Sequence, residues 1–141
     1  MQLALTEEEA AFREEMRTFF TTKVPQEIRE TIAAGRHVGK DGIVETQRIL
    51  NEAGLAVPNW PVEWGGKDWT PLQRHIWHEE MQLAGVPLPL ACNANMVGPV
   101  IATFGSQEQK EKFLAGCLAG RFEPMEGDRI PGSTAVVKVI G

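Results

Sequence analysis

The stretch Val57-Pro58-Asn59-Trp60-Pro61-Val62-Glu63-Trp64-Gly65-Gly66 constrains this chain more than any other. Each proline fixes its own φ and pushes the residue before it out of helical space. Gly65 and Gly66 can turn the backbone where a side chain would block it. Such a segment is a stiff, apolar loop with a sharp end. Its tryptophans, with Trp69 and Trp77 beyond it, are expected as core anchors under a connection between helices, ahead of a ligand box.

Helical patterning surrounds this loop. Thr6 and Glu9 form a capping box, and Phe12, Met16, Phe19 and Phe20 share one face of the helix that follows. Val24-Pro25 ends it. A shorter helix is expected from Pro25 to Ala34, with Gly35 as its stop. Gly39 to Gly42 reads as a turn, with Asp41 capping a helix that carries Val44, Ile49, Leu50 and Ala53. After the tryptophan loop, Thr70 and Pro71 open a helix running through Ile76, Trp77, Glu80 and Met81 to Gly85. Leu90 to Phe104 is the most apolar stretch, expected as one buried helix interrupted or restarted near Gly98-Pro99. On physical grounds it is a core helix ahead of a cavity wall. Ser106 caps a last helix over Gln107 to Leu118. Beyond Gly120 the pattern fails, and Ala135 to Ile140 reads as one isolated strand. The fold class is therefore all-α, a helical bundle of about five or six helices with an irregular C-terminal tail. The expected division is a helical domain over residues 1–120 and a divergent tail over 121–141.

Several chemistries are excluded or disfavoured. A net charge of −5 leaves no basic stripe for nucleic acid. The N-terminus turns acidic at Glu7 and has no cationic region, so it is not a secretory signal, and no apolar run is long enough to span a membrane. Cys92 and Cys117 lack metal-type spacing and are expected as free thiols, which together with the missing signal gives a cytoplasmic protein. His75, His78 and Glu79 share a helical face, but no third ligand closes a metal site. Glu79 and Glu80 point about 100° apart and do not make a carboxylate pair; one is expected in solvent and the other capping or pairing locally. No catalytic residue is assigned.

Five motifs in order carry a resemblance: an acid-capped first helix, P-x-W-P-x-E-W-G-G, a helix ending E-E-M-x-x-A-G-V-P, then V-G-P-x-I, and F-G-S-Q-E-Q-K-E-K-F-L. Together they resemble the N-terminal helical domain of the acyl-CoA dehydrogenases, from about Leu5 to Gly120. The resemblance implies an FAD-dependent oxidoreductase that forms a trans-enoyl thioester from an acyl-CoA, with an electron-transfer flavoprotein or similar acceptor and an oligomeric assembly. It places part of the acyl-chain wall on this domain, with Pro87, Ala91 and Asn95 nearest the acyl group. The flavin site and the catalytic base lie in later domains of the family, a β-barrel and a C-terminal helical domain.

After the last helix, Arg121-Phe122-Glu123-Pro124-Met125-Glu126-Gly127-Asp128 keeps E-P-x-x-G of a family loop but loses the serine before its aspartate. The expectation is thus an N-terminal domain that is catalytically silent alone, its flavin supplied elsewhere. Two alternatives stand beside it. One is a non-catalytic helical module that associates with a full-length dehydrogenase or another partner through its apolar segment. The other is a small acyl-binding bundle.

Overall fold

The computed structural model describes residues 4–88 and 92–118. Six α-helices account for most of them: α1 (Glu7–Lys23), α2 (Gln26–Ala33), α3 (Lys40–Glu52), α4 (Pro71–Leu83), α5 (Gly98–Phe104) and α6 (Gln107–Leu118). A 3-10 turn at Val62–Trp64 lies in the tryptophan loop, and a π-helical turn at Cys92–Val97 leads into α5. The all-α class and the helix count agree with the sequence. The expected strand at Ala135 to Ile140 and the E-P-x-x-G segment lie outside the described residues.

Local chemistry sets the helix starts. In α1 the Thr6 hydroxyl accepts from the Glu9 N–H at 3.2 Å, and the Glu9 carboxylate accepts from the Thr6 N–H at 2.7 Å. Glu7, Glu8 and Glu9 sit in its first turn, where the helix dipole favours negative charge. Thr70 with Gln73 repeats this reciprocal cap on α4, and Ser106 with Gln109 repeats it on α6. At α3 the structure corrects the sequence. Gly39, extended at φ −64° and ψ 166°, is the N-cap, and Asp41 is already inside the first turn. A cap must lie outside helical φ/ψ, and Gly39 meets that requirement two residues earlier. Asp41 then contributes through the dipole instead.

The core is built from one face of each helix. α1 packs on α4, bringing Met16 and Phe20 against Trp77 and Met81. Phe12 and Phe19, seven residues apart on the same face, are half-buried at its edge. Leu50 of α3 and Leu114 of α6 are fully buried. The two helices are joined by the Gln47 side-chain amide, which donates to the Leu118 carbonyl at 3.5 Å. Thr46, equally buried, donates its hydroxyl back to the Gly42 carbonyl at 2.8 Å. These two polar residues enter the core because each finds an acceptor there.

The tryptophan loop folds back on itself. Its Lys67 N–H donates to the Pro58 carbonyl at 3.0 Å, and the Gly66 N–H to the Pro61 carbonyl at 3.1 Å. The two glycines are needed for different reasons. Gly65 takes φ +95°, the left-handed region. Gly66 does not; a Cβ there would collide with the Trp60 carbonyl oxygen. Leu55, Ala56, Val57 and Trp60 are buried, while Trp64 and Trp69 pack partly exposed against the core. The loop's tryptophans are core anchors in the structure.

Candidate functional site

Two polar constellations and one apolar face stand out among the described residues. The first joins α1 to α4. Glu80 lies on the apolar face of α4 between Trp77 and Met81, and is only 1% exposed. Arg17 grips it with two donors, Nε to Oε2 at 3.0 Å and Nη2 to Oε1 at 3.1 Å. Arg13 adds Nη1 to Oε1 at 3.3 Å and pairs with Glu79 at 2.7 Å. Glu80's hydrogen bond and charge hold the Arg17 guanidinium above its ordinary range, so it stays cationic throughout. The sequence expectation that one of Glu79 and Glu80 faces solvent while the other pairs locally is corrected. Both reach across to α1: Glu80 because a buried carboxylate needs donors that α4 itself does not supply, and Glu79, still partly exposed, by pairing with Arg13. An acid in an apolar helical stripe was the available signal, and Arg13 and Arg17, four apart beside Met16, were its partners. Glu80 is sealed from solvent, while Arg17 stays half-exposed at the rim of the cluster.

The second constellation is the segment that carries the proposed wall residues. Pro87 is buried and Asn95 is exposed. Ala91 lies outside the described residues. Asn95 sits in the π-helical turn, and its neighbour Ala94 is buried. The Trp60 indole N–H donates to the Ala94 carbonyl at 2.7 Å, a buried bond from the tryptophan loop to the turn.

The expectation of a wholly buried helix over Leu90 to Phe104 is corrected as well. Gly98, Ile101 and Ala102 are buried, but Met96, Val100 and Phe104 are 62%, 48% and 83% exposed. Spaced four apart, they form one outward stripe of large apolar side chains. The restart at Gly98-Pro99 is as expected. Pro99 falls in the first turn of α5, where its missing N–H is tolerated.

A separate cleft of about 400 Å³ opens between α1 and the tryptophan loop, lined by Phe12, Glu15, Phe19, Leu55, Lys67 and Trp69 among others. Neither Pro87 nor Asn95 lines it. His75 and His78 are exposed, and His78 lies 3.0 Å from the Gln82 amide. Among the described residues no three His, Cys, Asp or Glu side chains are grouped to hold a metal. No described helix is long and apolar enough to cross a membrane.

The family model for the acyl-CoA dehydrogenase N-terminal domain matches residues 6–121. The chain belongs to the acyl-CoA dehydrogenase family. Acyl-CoA dehydrogenase FadE26 of Mycobacterium tuberculosis is 30% identical over 135 residues, which cover 94% of this chain and 34% of that protein. Acyl-CoA dehydrogenase FadE29 of the same organism is 34% identical over 120 residues, 85% of this chain and 30% of the relative. Among solved structures, the Tcur3481-Tcur3483 steroid ACAD superposes with a TM-score of 0.70 at 31% identity, over 85% of this chain and 31% of that one. The ChsE4-ChsE5 complex from Mycobacterium tuberculosis does so with a TM-score of 0.64 at 32% identity, over 85% and 30%. This dehydrogenase domain therefore spans about a third of the length of the curated relatives it matches.

The described residues do not by themselves fit a flavin dinucleotide. Its pyrophosphate calls for clustered cations or a glycine-rich turn of N–H donors. Arg13 and Arg17 are committed to Glu80, and the cleft is lined by a single cation, Lys67, and a single carboxylate, Glu15.

Proposed function

We propose that this chain is the acyl-wall domain of an FAD-dependent acyl-CoA dehydrogenase of the steroid type, working inside a hetero-oligomer. The observation that carries the reading is the outward apolar stripe of Met96, Val100 and Phe104 beside Asn95, on a domain that matches only the first third of its relatives. Isolated large side chains at the surface are ordinary; three on one helical face signal a surface that something covers. In the complete enzyme the stripe packs against the remaining domains, and Pro87, Ala91 and Asn95 bound the acyl group. A steroid-type thioester is preferred over a straight fatty chain because one solved relative, the Tcur3481-Tcur3483 complex, is named a steroid ACAD. FAD and the proton-abstracting base come from outside residues 1–120, with residues 121–141 as the join, and electrons leave to an electron-transfer flavoprotein or a similar acceptor. The assembly is cytoplasmic.

The test is acyl-CoA dehydrogenation with an artificial electron acceptor. The chain alone is expected to give no turnover. Residues 1–120 spliced onto the later domains of a steroid-type relative, with its partner subunit, are expected to give turnover that favours steroid thioesters. A flavin-loaded splice without turnover, or turnover by the chain alone, overturns the reading.

The same stripe favours a second reading, a non-catalytic module that docks on another dehydrogenase. A monomer by light scattering that captures no such partner would remove it.

A further inference from the structure

The π-helical turn at Cys92–Val97 creates a specific hydrogen-bonding problem. In an α-helix the Ala94 carbonyl would face the N–H of Gly98, four residues on. In the wider π register the facing residue is the next one, Pro99, which has no N–H. The same proline disfavours the α register, because its ring would press on the carbonyl of Asn95, four residues back. Ala94 is 7% exposed, so water does not readily replace the lost donor.

The donor comes from elsewhere in the chain. The Trp60 indole, 3% exposed, donates to this carbonyl at 2.7 Å across 34 positions of sequence. The ring is aimed by its own backbone: the Trp60 N–H is bonded to the Val57 carbonyl at 3.0 Å, and its carbonyl lies hard against Gly66. The indole N–H groups of Trp64 and Trp77 find no partner among the described residues. Trp60 is distinguished from them by this bond.

We propose that Trp60 is a positioning residue that latches the π-helical turn and so sets the direction of Asn95 and Met96. Without the latch the Ala94 carbonyl has no donor in the π register and Pro99 opposes the α register, so the turn loosens and no longer holds Asn95 and Met96 in one direction. The link from this latch to thioester selection rests on the proposed acyl-wall function; the latch itself does not.

The test is amide hydrogen exchange on the chain without ligand, comparing Trp60→Phe with Trp77→Phe. Both substitutions remove an indole N–H and similar volume, but only the first removes a bond. In Trp60→Phe, exchange across residues 94–102 is expected to quicken about tenfold or more, as a buried carbonyl loses its donor. In Trp77→Phe that segment is expected to stay within about twofold of its surroundings. Pro99→Ala supplies a backbone N–H to the π register, so combining it with Trp60→Phe should cut the acceleration to about threefold or less. Equal exchange of the segment in the two tryptophan variants, acceleration spread evenly over the chain, or no relief from Pro99→Ala would each overturn the latch. Because no ligand is present, failure here is separate from failure of the spliced enzyme to turn over.

Discussion

The α1–α4 pair and the π-turn–α5 segment solve the problem of burial in opposite ways. Where α1 meets α4, Phe20, Ile76 and Met81 are sealed, and the one carboxylate among them, Glu80, is matched by two arginines. That side is finished. Along the π turn and α5, Ala94, Gly98, Ile101 and Ala102 are buried and Val97 packs partly against the core, while Met96, Val100 and Phe104 face out. The contrast separates what this domain needs in order to fold from what it holds out to something else. A buried charge is tolerated where its partners are supplied within the chain, and exposed apolar surface is tolerated where a neighbour will cover it.

The sharpest way to break the contrast is to strand Glu80. Replacing Arg13 and Arg17 together by alanine leaves a buried carboxylate without donors, and urea denaturation should show the largest drop in midpoint of all the variants named here. A drop no larger than theirs would mean the cluster is not the junction described. Next is Gly66→Ala, which drives a methyl group into the Trp60 carbonyl. Thermal unfolding should report a loss of about 2–3 kcal/mol, the usual scale of forced overpacking. Thr70→Ala removes the hydroxyl that caps α4 at 3.2 Å and should cost about 1 kcal/mol. At the far end, serine at Met96, Val100 or Phe104 should move stability by no more than about 0.5 kcal/mol each. The same variants should lower any self-association seen by light scattering. A large stability loss from Phe104→Ser would erase the distinction between the two regions.

Much of the finished side was readable in the sequence. The Thr6–Glu9 and Thr70 caps, and the spacing of Phe12, Met16 and Phe20, are local signals, and local signals survive folding. So did the restart at Gly98-Pro99, because proline acts on its own backbone. What was not readable depended on neighbours distant in sequence. Glu80 was visible as an acid in an apolar stripe, but its partners 63 and 67 residues away were not. The uncharged run before Phe104 suggested burial, since composition alone does not tell a core face from a docking face. The Trp60–Ala94 bond combines both limits: the loop was visible as rigid, and its target was not. Asn95 was placed by resemblance, and the structure gives it an exposed position beside that bond.

The measurement that bears most directly on a domain finished on one side and open on the other is the visible absorption spectrum of the purified chain with FAD, before and after acyl-CoA. The expected spectrum is that of free flavin, unchanged by the thioester, because the proposed function puts the flavin site and the base outside residues 1–120. A bound flavin that bleaches with substrate would contradict the account, since the chain would then hold a complete active site of its own.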